Sequence, residues 1–391
     1  MHKKLKVMTV LGTRPDIIRL ARIVALLEQY TEHILVHTGQ NYDYELNQVF
    51  FEQLGMKKPD YFMNVDHTSV ATVLGNVLIQ AEKIMLKEQP DAVLILGDTN
   101  SSIAGIMARR LKIPLYHMEA GNRSYDANVP EELNRKIMDH ISDVNMVYTE
   151  HARRNLLREG IHPKFLYLTG SPMKEVLDYY MKDIDESTIL EELKLEEKKY
   201  FLASFHREQN VDNSDNLKKV LNLLNTIVEH YDMPIILSTH PRTRKRLEHV
   251  KGIELDKRIS FLKPFGFFEY NKLQKHAYCV LSDSGSISEE SSMLSFPAIT
   301  VRNAVERIEA MDTGNIVLTG LDANTVYSCI DLVTKMPVVI DIPKEYMVIN
   351  TAERALKIIM GTTKLIPTWT GMVQNDLTHK EKQSTTGQDQ Q

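Results

Sequence analysis

The chain has 391 residues, 43% of them apolar and 25% charged, with a formal net charge of -5 at pH 7. That length exceeds one ordinary hydrophobic core, so two globular domains are expected, each able to bury its own interior. The mild acidity argues against nucleic acid or an anionic membrane as partner, and no apolar run approaches a membrane span.

The opening MHKKLKVMTVLG is basic but passes straight into an apolar strand, which does not fit a signal peptide. Strand LKVMTVL is followed by a turn, GTRPD, and a helix over 17–29. HILVHTG is the next strand, then a helix over 44–54. A helix over 70–88 leads into strand DAVLILG, a helix over 101–111 and strand PLYHMEA. LYLTGSP closes the first half, and the charged segment 182–199 is the expected boundary. The pattern restarts with KYFLASF, a polar turn HREQNVDNSD and a helix over 216–231. Strands in MPIILSTH, RISFLKP, YCVLSDSG and AITV follow. Strand–helix alternation of this kind calls for parallel sheets with right-handed crossovers. The expected fold class is α/β, with two doubly wound, Rossmann-like domains facing each other across a cleft. A helix over 351–360 comes next, and beyond Trp369 the polar, aperiodic sequence predicts disorder. Cys279 and Cys329 lie in apolar contexts without metal spacing, which fits buried free thiols in a reducing cytoplasm.

Three acids stand where regular elements end or begin. Asp98 follows DAVLIL, Glu119 follows IPLYHM, and Glu131 sits just after Pro130, where a helix should start. In a parallel sheet those places share one edge, where ligands bind. Acids converging there point to proton chemistry.

Each half also opens with a strand running into cations. Gly12-Thr13-Arg14-Pro15 precedes a helix that carries Arg19 and Arg22, and Ser204-Phe205-His206-Arg207 follows the strand of the second half. Cations beside helix N-termini suit phosphate, because free N–H groups and the helix dipole favour the same charge. Arg14, held between a glycine and a proline, is read as functional, whereas Arg22 is read as an ordinary surface arginine. In LSDSGSISEES, Ser284-Gly285-Ser286 ends a buried strand and starts a helix, so its hydroxyls and amides can cradle phosphate. The same residues also fit plain helix capping by serine. Glu290, one turn into that helix, could accept from ribose hydroxyls, and His240 after MPIILST is a further cleft candidate, though a lone histidine is usually structural.

No G-x-G-x-x-G follows either opening strand, which argues against tightly held NAD. No Walker lysine motif or His/Cys metal cluster occurs, and the one D-x-D, Asp183 and Asp185, lies in the charged connector, where a solvated linker is expected. No cofactor and no metal are therefore assigned.

GTRPDIIR, GDTNSS, HMEAGNR, PEELNR, HREQN, STHPR, DSGSISEE and VRNAVERIE, in that order, resemble the non-hydrolysing UDP-N-acetylglucosamine 2-epimerases over nearly the whole chain up to the tail. The resemblance implies the GT-B fold, a homodimer, and inversion at C2 of a UDP-linked 2-acetamido sugar. On that fold, residues 1–172 form the domain with the carboxylates and 173–347 the UDP-binding domain. Residues 348–370 return to the first domain, and 371–391 are a tail. The resemblance gives catalytic roles to Asp98, Glu119, Glu131 and His206, the carboxylates for proton transfer and sugar positioning and His206 as a donor to the leaving diphosphate. It gives UDP-binding roles to Arg14, His240, Ser284, Gly285, Ser286 and Glu290. Arg302, Glu306, Arg307 and Glu309 look like the family's second-domain clamp, with Ile308 where proline is usual. Arg19 and Arg207 are read as supporting cations, and Arg135 either orients Glu131 or forms a helical i,i+4 pair with it.

Departures from the glucosamine branch concern the sugar. Asp16, Ile17, Ile18 and Arg19 replace the usual EAIK, and Asn122 replaces a leucine. The segment NRSYDANVPEELNRKIMDHISDVNMVYTEHARRNL resembles the branch that makes UDP-N-acetyl-L-fucosamine from UDP-2-acetamido-2,6-dideoxy-L-talose for capsule or O-antigen synthesis. Gln40 fits the family's allosteric UDP-GlcNAc site, but Asp43 stands where a second glutamine is common, which argues against that activation. The alternatives are a UDP-N-acetylglucosamine 2-epimerase, a GT-B glycosyltransferase and a non-catalytic nucleotide-sugar sensor.

Overall fold

The computed structural model describes residues 3–39, 47–239, 241–247, 250, 252–303, 306–336 and 341–372. Seven strands form the first sheet: β1 (Lys6–Leu11), β2 (Glu32–His37), β3 (Tyr61–Phe62), β4 (Ala92–Leu96), β5 (Leu115–Ala120), β6 (Val144–Val147) and β7 (Leu166–Leu168). They pair in the order β3-β2-β1-β4-β5-β6-β7. The second sheet comprises β8 (Phe201–Ser204), β9 (Ile235–Ser238), β10 (Ile259–Leu262), β11 (Cys279–Ser282), β12 (Ala298–Thr300) and β13 (Val317–Leu318), ordered β10-β9-β8-β11-β12-β13. Every pairing is parallel. In both sheets the chain starts in the middle, winds outward, then crosses back to the other side. That reversal opens a crevice beyond the carboxyl ends of the strands.

Side-chain alternation explains why each sheet is buried on both faces. In β1, Val7 and Leu11 join one core, whereas Met8 and Val10 join another under helices Val70–Glu88 and Ala104–Arg110. The core containing Val7 continues into the second half through Leu202, Ile236 and Val280. The far face of the second sheet, with Phe201, Ala203 and Leu281, packs on helix Ser214–Tyr231. Helix Thr351–Thr362 packs on helix Arg14–Tyr30, and Tyr116 Oη hydrogen-bonds Thr363 at 2.9 Å.

Several local expectations need correction. The first long helix begins at Arg14, not at residue 17. Pro15 suits the first turn, and the Asp16 carboxylate accepts the amides of Gly12 and Thr13, each at 3.0 Å. The charged connector is helical over Met181–Glu186 and Ile189–Glu192, because Ile184, Ile189 and Leu190 are buried there. Asp185 is paired with Lys275 at 2.6 Å. The polar turn of the second half contains a short helix, Glu208–Val211. The helix expected over 44–54 is seen as Gln48–Gln53, with 44–46 outside the described residues. The tail beyond Met372 likewise lies outside them.

Candidate active site

Asp98, Glu119 and Glu131 line one cleft of about 470 Å³ between the two sheets. Asp98 lies just beyond β4, Glu119 is the penultimate residue of β5, and Glu131 is in the first turn of helix Pro130–Ile141. Glu119 is aimed by the backbone. The β5–β6 register shifts between Met118 and Ala120, and Glu119 has φ of 63°. A left-handed non-glycine residue costs about 1–3 kcal/mol. A bulge of this kind turns a side chain out of the pleat's normal alternation.

Arg135 does not orient Glu131. Its Nε and Nη2 bind Asp98 Oδ2 at 2.8 and 2.5 Å, and its Nη1 binds Glu132 at 2.6 Å. Positions 131 and 135 share a helix, but the guanidinium turns to the strand end, where the half-buried Asp98 and the buried Glu132 together take three of its N–H groups. Asn134 donates to the Asp98 carbonyl at 3.0 Å.

Glu119 belongs to a buried group of four charges that joins the two halves. Arg19 lies 3.6 Å from Glu119 and 2.5 Å from Glu289, while Arg307 hydrogen-bonds Glu119 and stands 3.4 Å from Glu289. Burial opposes ionisation of Glu289, but the two guanidinium groups prevail and hold its carboxyl below the ordinary range. Asp16 is the opposite case. Burial outweighs its two amide hydrogen bonds and lifts it to about 7.

From the second half, His206, Arg207, Ser284, Gly285, Ser286, Arg302, Glu306 and Arg307 reach the same cleft. Ser284 and Ser286 share a hydroxyl contact of 3.0 Å where helix Ile287–Leu294 starts. A Cβ on Gly285 would meet nothing closer than Arg207 Nη2 at 3.6 Å, so packing alone does not demand glycine there. Arg302 grips Glu306 through two bonds of 2.7 Å. Burial works against Glu306, yet Arg302 holds its carboxyl down at about 2. Arg207 adds a contact to Glu306 at 3.7 Å. Glu309 does not line the cleft, and its carboxylate accepts a hydrogen bond from the Thr149 hydroxyl.

A second, narrower cavity of about 90 Å³ adjoins the cleft. Arg14 and Glu290 line it together with Phe50, Phe265 and Tyr270, and Gln274 holds Glu290 at 2.6 Å. The two spaces share a wall made of Pro15, Arg19, His206, Ser284 and Ser286. The result is one elongated site, aromatic at one end, rich in hydroxyls and cations in the middle, and acidic at the other end.

Phe265 and Tyr270 in the narrow cavity, and Asp283 and Glu289 behind the site, are not picked out by the sequence, which marks Asp16 only as a departure from the glucosamine branch. Phe265 and Tyr270 lie in KPFGFFEYN, just beyond β10, so the same strand-end rule that located Asp98 pointed to them. Arg22 stacks on the Tyr179 ring at 3.5 Å and lines neither space. His240, Gln40 and Asp43 lie outside the described residues. Among the described residues no cluster of His, Cys, Asp or Glu is arranged to hold a metal, and no helix is long and apolar enough to cross a membrane.

Residues 25–360 match the family described as UDP-N-acetylglucosamine 2-epimerase. The structure is similar to that of UDP-N-acetylglucosamine 2-epimerase from Rickettsia bellii, with 46% identity, a TM-score of 0.88, and 93% of this chain and 98% of that one covered. It is also similar to the Methanocaldococcus jannaschii UDP-GlcNAc 2-epimerase in complex with UDP-GlcNAc and UDP, at 35% identity and a TM-score of 0.86, covering 91% of this chain and all (100%) of that one. A Pseudomonas aeruginosa relative, UDP-2,3-diacetamido-2,3-dideoxy-D-glucuronate 2-epimerase, is 34% identical over 321 residues, 81% of this chain and 88% of its own length. Two GT-B half-domains, an elongated cleft with acids at one end, and these likenesses agree: the chain belongs to the UDP-N-acetylglucosamine 2-epimerase family and is an isomerase of the UDP-sugar 2-epimerase class.

Proposed function

We propose that the protein inverts C2 of a UDP-linked 2-acetamido sugar by eliminating UDP and adding it back. Residues 1–172 supply the carboxylates and 173–347 the UDP site. The observation that carries this reading is the wall shared by the two spaces: it sets the His206 and serine cradle between an aromatic pocket and a cluster of acids. Uridine fits the aromatic end, with Glu290 for its ribose and Arg14 close by. The diphosphate lies along Ser284, Gly285, Ser286 and Arg302, and the sugar among Asp98, Glu119 and Glu131.

The C2 proton of such a sugar has no adjacent carbonyl and cannot simply be abstracted. Elimination solves this. A carboxylate takes the C2 proton, the C2–H electron pair becomes the C1=C2 double bond, and the C1–O pair leaves with UDP. His206 protonates the departing diphosphate oxygen. Re-addition with proton delivery to the other face gives the inverted product. General acid and base groups and fixed cations at the leaving oxygen are what this chemistry requires.

We take UDP-2-acetamido-2,6-dideoxy-L-talose as the first substrate, giving UDP-N-acetyl-L-fucosamine. The supporting features are Asn122 and the NVPEELNR segment, for Asn122, Asn128 and Val129 line the sugar end of the cleft. UDP-N-acetylglucosamine is the second reading, favoured by the names of the Rickettsia and Methanocaldococcus relatives. We also take the active form to be a homodimer. Ile79 and Leu86, seven residues apart on one face of helix Val70–Glu88, are exposed and suit such a contact. Incubating the purified protein with each UDP-sugar in deuterium oxide and following C2 by NMR tests the reaction. Deuterium at C2 with an epimeric product is expected from the 6-deoxy-talose substrate. Turnover of the glucosamine compound alone would transfer the assignment to the second reading, and exchange with neither would remove both.

A further inference from the structure

Asp283 follows β11 and is completely buried, 0% exposed, directly behind His206. Its carboxylate accepts the His206 amide at 3.0 and 3.1 Å, the Arg207 amide at 3.0 Å and Asn210 Nδ2 at 3.0 Å. It also faces His206 Nδ1 at 3.1 Å. These partners are all donors. An ionised carboxylate only accepts, so the imidazole nitrogen facing it carries a hydrogen. Nε2 is then the nitrogen left for the cleft, on the wall that His206 shares with Ser284 and Ser286.

We infer that Asp283 is a positioning residue for the reaction: it holds His206 with Nδ1 protonated and supports the imidazolium, so that Nε2 gives its proton to the diphosphate oxygen leaving C1 and recovers it on re-addition. The inference rests on the reading of His206 given above. Burial alone would drive Asp283 toward its neutral form. The charge and hydrogen bonds of His206, with Asn210 and the amides, overcome this and keep its carboxyl below the ordinary range. The anion is therefore present whenever His206 must become a cation. A neutral amide at this position can still accept one backbone N–H, but it would turn its own N–H toward Nδ1. That reverses the tautomer and removes the support for the imidazolium.

The experiment compares wild type, Asp283→Asn, His206→Asn and the double variant, with the histidine tautomer read by nitrogen-15 NMR. Asp283→Asn should lower kcat on the order of 10²- to 10⁴-fold while KM stays within about threefold, and the alkaline limb of its pH profile should move to lower pH. In the His206→Asn background, Asp283→Asn should cost less than about threefold more, because its effect runs through the imidazole. Equal, additive losses in both backgrounds would make Asp283 a purely structural residue and overturn the inference. The NMR measurement needs no turnover and no folded variant: wild-type His206 should carry hydrogen on Nδ1, and a hydrogen on Nε2 alone overturns the assignment. If the wild type shows no exchange at C2, the proposed reaction fails while the tautomer still decides the pairing.

Discussion

Arg135 places two nitrogens on a single oxygen of Asp98, at 2.8 and 2.5 Å, from helix Pro130–Ile141. The contact ties the end of β4 to helix Pro130–Ile141, the element that also carries Glu131. Two of the three proposed catalytic acids are thereby held in one frame. Burial works against the Arg135 charge, and Asp98 more than restores it.

That frame depends on the fork of the guanidinium. Arg135→Lys keeps the charge but reaches Asp98 with one ammonium, which cannot fix the carboxylate in the same way. A loss in kcat of roughly 10- to 100-fold is expected, since a misplacement of about 1 Å costs on that order. Steady-state kinetics with a melting curve checks it. A kcat within twofold or so of wild type would mean that the Asp98 position does not depend on this grip.

The pair Arg19–Glu289, at 2.5 Å and buried, joins the first helix of one half to the helix after β11 of the other. Glu289→Gln leaves Arg19 and Arg307 with Glu119 as their one remaining carboxylate partner among the described residues. Breaking a buried pair from one side costs about 3–5 kcal/mol, so a large drop in denaturation midpoint is expected. The carboxyl of Glu289 lies below its unfolded value, so its contribution is complete above the ordinary carboxylate range. It is lost as pH falls through the depressed folded value. Urea titrations at pH 7 and under more acidic conditions should show the variant and wild type converging in acid.

Asp16 carries the reverse dependence. Burial lifts its folded carboxyl to about 7, above the ordinary value of 3.8. Below the lower value both states are protonated and the group contributes nothing. Between the two values the unfolded state ionises more readily, so stability falls as pH rises, and the loss is complete above about 7. Asp16→Asn retains an oxygen for the Gly12 and Thr13 amides. It should be more stable than wild type at pH 8 and close to it near pH 4. Chemical denaturation at the two pH values decides this, and a variant destabilised at pH 8 would contradict it.

The aromatic end of the site should set affinity and not chemistry. Phe265→Ala removes a ring from the narrow cavity that Arg14 also lines. Stacking of a base on an aromatic side chain is worth about 1–3 kcal/mol, so UDP binding should weaken roughly 5- to 150-fold. Calorimetric titration of UDP measures the change, and kcat at saturating substrate should change little. A fall in kcat without a change in UDP affinity would move the base elsewhere.

Much of this is legible in the sequence. Runs such as AVLIL and CVLS declare strands covered on both faces, and their alternation with amphipathic helices makes parallel pairing the economical solution. Asp98, Glu119, His206 and Ser284 were accessible for the same reason: a parallel sheet sends every strand end to one edge. The edge strands β3 and β13, two residues each, carry no readable period, and neither they nor the four-residue inner strand β6 are among the expected strands.

What tertiary structure alone decided is which charge answers which. Local spacing suggested Arg135 with Glu131, but packing assigned Arg135 to Asp98, 37 residues away. Likewise Glu290 drew notice in the sequence while its neighbour Glu289 forms the bridge between the halves, because a helix turns adjacent residues about 100° apart. Sequence patterns determine which side chains reach the cleft edge. The partner each one finds there depends on the approach of two sheets distant in sequence, and no local periodicity encodes that approach.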